Sequence, residues 1–412
     1  MFVLSHPRGN QNVRAALRAL EASGMLRMFF TTVGWREHAT VSALLPQGLR
    51  REFARRSFPE IAPHHLSSFP RRELLRQLVI RLELDHVSGL APLCSIDAVD
   101  SAFDTSVAQA IAGGIPGAQA IYAYEDSAAQ SFEVARAVGL RRFYELPTLY
   151  WKTTHRLMEE EAELQPIWSA TNDTLNDGAE KLARKDRELA LADHIIVPSE
   201  FVRATLKESG DLRASIDVLP YGGPAPSGTP RAVSAPNEKL RLLFVGHLRQ
   251  RKGLSYLFDA MRALDHAASL TLIGPKPVDC AVLSEALGRH RWLGAVPYGR
   301  VLEEMRRHDV LVLPSLIEGF ALVILEAMAQ GLPVITTPNS GAATVIEDGV
   351  DGFIVPIRDS EAIVDRAMRL ANRAELSQMS AAALRKAGTM SWANQERRLI
   401  ELLGLRLKTG SA

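Results

Sequence analysis

The second half of the chain, from residue 241 onward, alternates short apolar runs with amphipathic stretches. Each run has the length and the β-branched or leucine-rich content of a buried strand. Between the first two runs, apolar residues such as Leu254, Leu257 and Phe258 recur at helical spacing and form one face. This alternation predicts βα units that build a parallel sheet. The predicted strands are Leu242–Val245, Leu270–Ile273, Val310–Leu313, Pro333–Thr336 and Gly352–Val355.

The first half repeats this pattern less regularly, with predicted helices such as Asn12–Ala22 and Ser127–Val138 between its apolar runs. Segment 35–100 is helical in parts and rich in arginine, and we interpret it as an insertion in the first domain. The two halves together predict an α/β fold of two Rossmann-like domains. The predicted strands of the first half are Phe2–Ser5, Met28–Thr32, Ala118–Ala123, Arg142–Glu145, His194–Pro198 and Ile216–Leu219.

The glycine and proline content predicts the domain boundaries. Residues 221–239 contain too much Gly, Pro and Ser to continue a strand or helix, which indicates an interdomain linker. The linker separates an N-terminal domain over 1–220 from a C-terminal domain over 240–390. Residues 391–412 predict a last helix with Ser391 as its N-cap, and we expect it to pack back towards the N-terminal domain.

Composition narrows the functional classes. Of the 412 residues, 47% are hydrophobic and 23% are charged, which is typical of a globular protein. The 48 basic residues nearly cancel the 47 acidic ones, so the overall charge gives no argument for nucleic acid as a partner. Cys94 and Cys280 are far apart in apolar sequence, which suits a reducing compartment and gives no metal-ligand spacing. The sequence lacks a signal-peptide pattern and an apolar run of ~18 residues, and therefore predicts a cytoplasmic protein.

Two glutamates accompany an apolar helix predicted over 320–330, which Gly331 and Pro333 end. Glu326 lies inside this helix, where an unpaired carboxylate costs several kcal/mol, so it needs a cation or hydroxyl groups as partners. Glu318 precedes the helix, beside amides that suit an anion or sugar hydroxyls. Alternatively, Glu318 only complements the helix dipole and Glu326 pairs with a core arginine. The two glutamates together, after a predicted strand, favour a binding site.

The stretch EGFALVILEAMAQGLP, with seven residues between its two glutamates, resembles the E-x7-E signature of retaining family-4 glycosyltransferases. The resemblance implies a GT-B fold, in which two Rossmann-like domains face each other across a cleft. It also implies that Glu318 contacts hydroxyls of a donor sugar and that Glu326 holds the ribose of the nucleotide. Gly319, Phe320 and Leu322 are expected to contact the same donor.

A second candidate site lies in the loop FVGHLRQRKG, between a predicted strand and a helix. Positive charges in this position form a diphosphate site, although a solvated basic turn has a similar composition. The loop lacks the Walker A spacing. It resembles the diphosphate loop of the same family, which implies donor contacts by Gly246, His247 and Lys252. His247 stands where the family has arginine, so Arg249 or Arg251 would have to supply the second cation, and Arg251 is the first choice as the neighbour of Lys252. Val296, in WLGAVP, resembles the family's contact to the base.

The first domain carries weaker signals. Gly9 and Asn10 follow the first strand and open a helix near His6, so we assign these three residues to the acceptor side of the cleft. A capped turn would have the same sequence. Many family members carry a histidine near the reacting sugar, and Glu145 is our catalytic candidate for that place. Residues 124–126 are the second choice, and a solvated carboxylate at a strand end is the simpler alternative.

A cluster of arginines lies beside leucines in the proposed insertion, with few acidic residues nearby. Such a basic amphipathic surface can rest on anionic lipid at the inner membrane face, which would suit a lipid-linked acceptor. A solvated helix face is the commoner origin of this pattern. The arginines are Arg50, Arg51, Arg55, Arg56, Arg71, Arg72, Arg76 and Arg81.

These observations predict a glycosyltransferase that moves a hexose from a nucleotide sugar to an acceptor hydroxyl with retention, in polysaccharide or glycolipid assembly. Lys252 and Arg251 would stabilise the departing diphosphate while Glu318 orients the sugar. The acceptor is expected to be a carbohydrate or lipid-linked, and we expect no cofactor and no metal, since no D-x-D motif is present. Two alternatives remain: a GT-B sugar-nucleotide epimerase, and a nucleotide-sugar-binding protein without transfer activity. A Rossmann dehydrogenase is disfavoured because no G-x-G-x-x-G opens either half.

Overall fold

The computed structural model has two parallel-sheet domains joined by a linker. Three arginines of the predicted cluster, Arg50, Arg51 and Arg55, lie outside the described residues, as do 36–55 and 85–93 of the proposed insertion. The described residues are 1–35, 56–84, 94–171, 175–229, 231, 234, 235, 238–276 and 280–408.

Seven strands form the sheet of the first domain. They are β1 (Phe2–Ser5), β2 (Leu26–Thr31), β3 (Leu66–Ser68), β4 (Ala120–Tyr124), β5 (Arg141–Glu145), β6 (His194–Val197) and β7 (Ser215–Val218). All neighbouring pairs are parallel, in the order β3-β2-β1-β4-β5-β6-β7. The strand order reverses between β1 and β4, so the loops after these strands diverge and leave a crevice at the carboxyl edge of the sheet. The residues of β1 and β4 are buried throughout, as expected for central strands of a parallel sheet.

Helices connect the strands of the first domain and cover its sheet. Within the described residues they are α1 (Gln11–Ala22), α2 (Arg71–Arg81), α3 (Ile96–Ala112), α4 (Ala129–Ala137), α5 (Trp151–Leu164), α6 (Ala179–Leu191) and α7 (Glu200–Thr205). Helix α1 starts at a side-chain cap, since the Asn10 side chain accepts from the amide of Val13. Its apolar residues, including Val13, Leu17 and Leu20, are buried.

Six parallel strands form the sheet of the second domain, in the order β10-β9-β8-β11-β12-β13. These strands are β8 (Leu240–Val245), β9 (Ala268–Ile273), β10 (Arg291–Trp292), β11 (Val310–Leu313), β12 (Val334–Thr336) and β13 (Phe353–Ile354). The described helices of this half are α8 (Leu254–Leu264), α9 (Ala281–Gly288), α10 (Tyr298–Arg307), α11 (Leu322–Ala329), α12 (Ser360–Leu370), α13 (Arg373–Thr389) and α14 (Trp392–Lys408).

A segment of the first domain reaches across to the second. After α5, a short 3-10 helix spans Pro166–Thr171, and its Trp168 is buried in the hydrophobic core of the second domain. The indole stacks on Phe258, with ring centroids 5.8 Å apart. The first sheet is therefore connected to the second domain by a packed segment as well as by the linker.

The last helix returns to the first domain. Helix α14 packs on α1, and an ion pair of 2.7 Å joins Arg18 of α1 to Glu396. The amide of Asn394 donates to the hydroxyl of Ser391, the predicted N-cap, at 3.3 Å. This helix therefore adds a second covalent path between the domains.

The predicted α/β fold of two Rossmann-like domains is confirmed. The predicted strands reappear with ends that differ by at most two residues. Two strands were missed, β3 and β10. The helix predicted over 320–330 begins only at Leu322, because Glu318, Gly319 and Phe320 belong to the preceding loop. In the described ranges, no helix combines the length and the apolar content that a bilayer crossing requires.

Candidate functional site

A cleft of about 430 Å³ lies where the two domains meet, within the size range of roughly 300–1,000 Å³ common for small-molecule sites. Its first-domain wall consists of Asn12, Pro147, Thr148, Leu149, Trp151, Thr154, His155, Asp177, Lys185 and, from the linker, Tyr221. Its second-domain wall consists of Arg251, Ile317, Glu318, Gly319, Phe320 and Leu322. Four of the predicted donor-site residues, together with the catalytic candidate Arg251, therefore line one wall of this cleft.

The loop before α11 crosses the domain interface in tight contact. A Cβ atom added to Gly319 would lie 1.9 Å from the carbonyl oxygen of Pro147, so only glycine fits at this position. The Ser199 hydroxyl donates to the carbonyl of Gly319 at 2.8 Å. Close by, the amide of Glu200 donates to the hydroxyl of Thr344 at 3.1 Å. These contacts fix the position of the loop relative to the first domain.

Glu318 and Arg251 of the second-domain wall form an ion cluster with Lys252, which is buried and is not among the residues that line the cleft. The ammonium group of Lys252 contacts Oε2 of Glu318, and a guanidinium nitrogen of Arg251 lies 3.3 Å from the same oxygen. Burial would raise the pKa of Glu318, but the charges of Lys252 and Arg251 outweigh it and lower that pKa below its usual value. The carboxylate is therefore ionised, and it is held by the cations that the sequence assigned to a diphosphate.

Close backbone packing positions these cations. Strand β8 ends at Val245, and Gly246 follows with its carbonyl oxygen 1.9 Å from a Cβ added to Gly274. The loop then turns through a 3-10 helix over Gln250–Lys252 and ends at Gly253, which has a φ of +72°. A side chain at Gly253 would also collide with the carbonyl of Pro314. The glycines of this loop thus serve its packing.

Glu326 has a hydroxyl group as its partner. Burial raises the pKa of its carboxyl, and a hydrogen bond from Tyr298 opposes that rise. The pKa of Tyr298 is in turn raised to about 12 by burial and by Glu326. Tyr298 is half exposed, at 49% of its surface. The arrangement matches the expectation that a carboxylate in this apolar helix needs hydroxyl groups around it.

Two other predicted donor residues, His247 and Val296, lie in the second domain but outside the cleft. His247 is exposed, and its charge contributes to lowering the pKa of Glu318. Val296 is half-buried and packs against the core of the second domain. Neither residue is part of the 430 Å³ cleft.

Glu145 requires a correction, because its carboxylate is not open to the cleft. It is buried and accepts hydrogen bonds from the hydroxyls of Tyr122 and, at 2.7 Å, Tyr221. Burial raises its pKa against the effect of these hydroxyls. The reason is the linker: Tyr221 folds back over the end of β5, while its ring packs edge-on against Phe320, 5.8 Å between centroids. Glu145 thus anchors the linker through Tyr221 and does not form part of the cleft surface.

The three predicted acceptor-side residues form a packed turn beside the cleft. Nδ1 of His6 accepts from the amide of Arg8 at 2.9 Å, and burial together with the Arg8 charge lowers the pKa of His6 to about 3. A side chain at Gly9 would collide with the ring of Phe58. Asn10 caps α1, as described above. The residue of this turn that lines the cleft is Asn12, two positions further on.

Several cleft residues were not singled out from the sequence. Trp151 and His155 project from the first turns of α5, which begins six residues after β5 ends. Asp177 and Lys185 come from the region of α6. The position of Trp151 and His155 after a strand end was the available signal, since such loops and helix starts build sites in parallel α/β sheets. Asp177 carried no local signal.

Comparison with known proteins places the second domain in a family. Residues 229–387 match the family described as glycosyl transferases group 1. This segment is a glycosyl transferases group 1 domain. It makes up less than half of the 412-residue chain.

A curated relative and two solved structures extend this result. The putative colanic acid biosynthesis glycosyltransferase WcaL of Salmonella typhimurium is 29% identical over 188 residues, which are 42% of this chain and 46% of that protein. The sucrose-phosphate synthase of Thermosynechococcus elongatus superposes with a TM-score of 0.66 at 19% identity, covering 99% of both chains. Anabaena Alr3699/HepE, solved in complex with UDP and glucose, superposes with a TM-score of 0.61 at 14% identity, covering 98% of this chain and 99% of its own.

These similarities bear on the fold of both domains. At such identities the structures show that this chain has the two-domain architecture of GT-B glycosyltransferases. The first curated relatives are matched over less than half of their own length.

Proposed function

We propose that this protein is a glycosyltransferase that transfers a hexose from a nucleoside-diphosphate sugar to an acceptor bound on the first-domain wall. The observation that carries the proposal is the ion cluster at the domain interface, in which the buried Lys252 and the half-buried Arg251 contact the half-buried Glu318. Two cations beside one carboxylate, at the carboxyl end of a parallel sheet, suit a diphosphate next to a polyhydroxylated ring. The match of residues 229–387 to a glycosyltransferase family supports the same activity.

In this mechanism the diphosphate replaces Glu318 as the partner of Lys252 and Arg251. The two cations then stabilise the negative charge that develops on the leaving diphosphate. Glu318, released from the ion cluster, accepts hydrogen bonds from hydroxyls of the sugar and orients it. Glu326 accepts from the ribose hydroxyls in place of Tyr298. After these exchanges the two cations again have an anionic partner, and both glutamates accept from hydroxyl groups of the donor.

Retention, metal independence and a role in polysaccharide or glycolipid assembly complete the proposal. The acceptor hydroxyl attacks from the face that the diphosphate leaves, and that hydroxyl's proton passes to the departing phosphate oxygen. The two cations supply the positive charge that a divalent metal supplies in other enzymes. Linkage analysis of the product tests retention, and turnover in excess EDTA tests metal independence. The relative WcaL, named for colanic acid biosynthesis, supports polysaccharide assembly.

Thermal shift with UDP, GDP and ADP tests the donor site. A nucleotide at ~100 times its dissociation constant adds about 2.7 kcal/mol to the free energy of unfolding, so one nucleotide should raise Tm clearly. Glu326→Ala is expected to reduce this shift. Lys252→Ala should lower kcat more than it lowers donor affinity, and Lys239→Ala, an exposed lysine outside the cleft, is the matched control. Wild-type kinetics in both site variants would contradict the assignment.

Labelled donor separates transfer from the alternatives. A transferase moves the labelled sugar to an acceptor in an extract of the source cells. An epimerase converts the nucleotide sugar with no acceptor present. A binding protein without transfer activity retains the labelled donor unchanged.

A peripheral contact with anionic lipid would suit a lipid-linked acceptor. Helix α2 exposes Leu74, Leu75 and Leu78, each by more than 40% of its surface, next to the exposed Arg71 and Arg81. Leucines flanked by arginines bind at the interface of anionic membranes. In a flotation assay, the wild-type protein should float with phosphatidylglycerol vesicles, and the Leu78→Glu variant should not. Equal flotation of both proteins would remove this part of the proposal.

A further inference from the structure

The first-domain wall of the cleft carries an aromatic ring that is fixed in place. The indole nitrogen of Trp151 donates to Asp186 at 2.7 Å, and the hydroxyl of Tyr150 donates to the same oxygen at 2.8 Å. His155 packs edge-on against the indole, 5.4 Å between centroids. Trp151 nevertheless remains half-buried and lines the cleft. A rigid aromatic surface in a cleft can bind the apolar face of a ligand at low entropic cost.

A polar network lies beside this ring. The ammonium group of Lys185 is 2.9 Å from Glu125 and 3.5 Å from Asp177. The hydroxyl of Thr148 donates to the other oxygen of Glu125 at 2.6 Å. Burial would lower the pKa of Lys185, but the neighbouring carboxylates raise it well above its usual value, so Lys185 is charged. Thr148, Asp177 and Lys185 all line the cleft, where they present both donors and acceptors.

The charges of the two walls have opposite balance. On the first-domain wall and directly behind it, four carboxylates are linked with three cations in one network of ion pairs, which leaves an excess of negative charge. The carboxylates are Asp97, Glu125, Asp126 and Asp177, and the cations are Lys181, Arg184 and Lys185. In the ion cluster of the second domain, two cations lie around one carboxylate. A phosphate is therefore expected to bind on the second-domain wall. An anion bound on the first-domain wall would be repelled by its carboxylates.

We infer that the first-domain wall binds an uncharged pyranose ring of the acceptor, with its apolar face against Trp151. Hydroxyls of this ring donate to Asp177 and accept from Lys185, which both line the cleft. The carboxylate excess selects against rings that carry a carboxylate or a phosphate. The inference rests on the proposed function and adds to it the chemical class of the sugar that receives the transfer.

Saturation-transfer NMR tests the inference on the full chain, in the presence of whichever of UDP, GDP and ADP binds. The probes are the methyl α-pyranosides of glucose, galactose and mannose, compared with glucuronate and glucose 6-phosphate. At least one neutral glycoside should bind with a dissociation constant below 50 mM, and it should bind at least ~10-fold more tightly than either anion. Binding of an anion as tight as the best neutral probe, or no neutral binding at 50 mM, would overturn the inference.

Variants then locate the contact. Trp151→Ala should weaken binding of the neutral glycoside at least ~10-fold, and Trp151→Phe should weaken it by no more than ~3-fold. Asp177→Asn should reduce the preference of the protein for the neutral glycoside over glucuronate. Glu159→Ala, an exposed residue of the same helix, is the control. Unchanged glycoside binding in Trp151→Ala refutes the contact. The nucleotide-induced rise in Tm, measured on each variant, reports folding, and its absence in the wild type would count against the proposed function instead.

Discussion

Replacing Glu161 by alanine is expected to loosen the loop that carries Lys252. Glu161, on α5, is 1% exposed and accepts three hydrogen bonds from the second domain. Its carboxylate lies 2.6 Å from the side-chain nitrogen of Gln250, 2.8 Å from Arg358 and 3.2 Å from the hydroxyl of Tyr256. Gln250 begins the 3-10 helix that ends at Lys252. A first-domain carboxylate thus sets the position of the proposed diphosphate loop.

The cost follows from what the substitution leaves behind. Removing one partner of a buried ion pair costs roughly 3–5 kcal/mol because the other charge stays buried. Arg358 keeps Glu160 and the carbonyl of Leu157 as partners, so we expect about 3 kcal/mol, the lower end of that range. With a slope of about 3 kcal/mol per molar urea, the unfolding midpoint falls by about 1 M. Tryptophan fluorescence, to which Trp168 in the core of the second domain contributes, reports this transition.

Glu160→Ala is the matched control, because Glu160 also contacts Arg358 but its side chain is 45% exposed. Exposed pairs contribute about 1 kcal/mol or less, so its urea midpoint should stay within ~0.3 M of the wild type. Glu161→Ala should also weaken nucleotide binding by ~10-fold, measured by calorimetry. A midpoint shift no larger than that of Glu160→Ala, with unchanged nucleotide affinity, would refute the reasoning.

Three further predictions follow from single contacts. Gly319→Ala places a Cβ 1.9 Å from the carbonyl of Pro147, so turnover should fall at least ~10-fold while circular dichroism stays unchanged, and wild-type turnover would show that this close approach is dispensable. Asp309→Asn removes a carboxylate whose pKa is lowered to about 2, mainly by Arg241 against the effect of burial. Above pH 4 the substitution should lower the free energy of unfolding by about 2 kcal/mol, and this difference should disappear as the pH falls through 2. Stability curves that run parallel for wild type and variant over this pH range would disprove the prediction. Tyr298→Phe should change nucleotide affinity less than ~3-fold, because ribose hydroxyls replace its hydroxyl on Glu326, whereas a large loss would mean that the phenol stays in place.

The strands could be predicted because their residues are buried on both faces. Runs such as Val310–Leu313 are apolar throughout, which is the pattern of central strands in a parallel sheet. The two missed strands lie at sheet edges and are short and polar: Leu66–Ser68 has three residues and Arg291–Trp292 has two. Such strands are defined by their neighbours and carry no periodic signal of their own.

The second-domain wall could be predicted because its residues are close in sequence. Glu318, Gly319, Phe320 and Leu322 lie in one loop and helix start, so a local motif identifies them together. The first-domain wall draws Thr148, Lys185 and others from separate connections, and only the folded sheet brings them together.

Glu145 shows the limit of such reasoning within a single strand. Its place at the end of β5 suggested a residue facing the cleft, and the strand assignment was right. The hydroxyl that buries its carboxylate comes from Tyr221, 76 residues further along the chain. Nothing local to β5 indicates that contact.

The most direct test is a crystal structure of the protein grown with the nucleoside diphosphate that gives the largest rise in Tm. We predict phosphate oxygens about 3 Å from Nζ of Lys252, a Glu318 side chain turned away from that ammonium group, and ribose hydroxyls hydrogen-bonded to Glu326. A nucleotide bound elsewhere, or bound with the contact between Lys252 and Glu318 intact, would contradict this prediction.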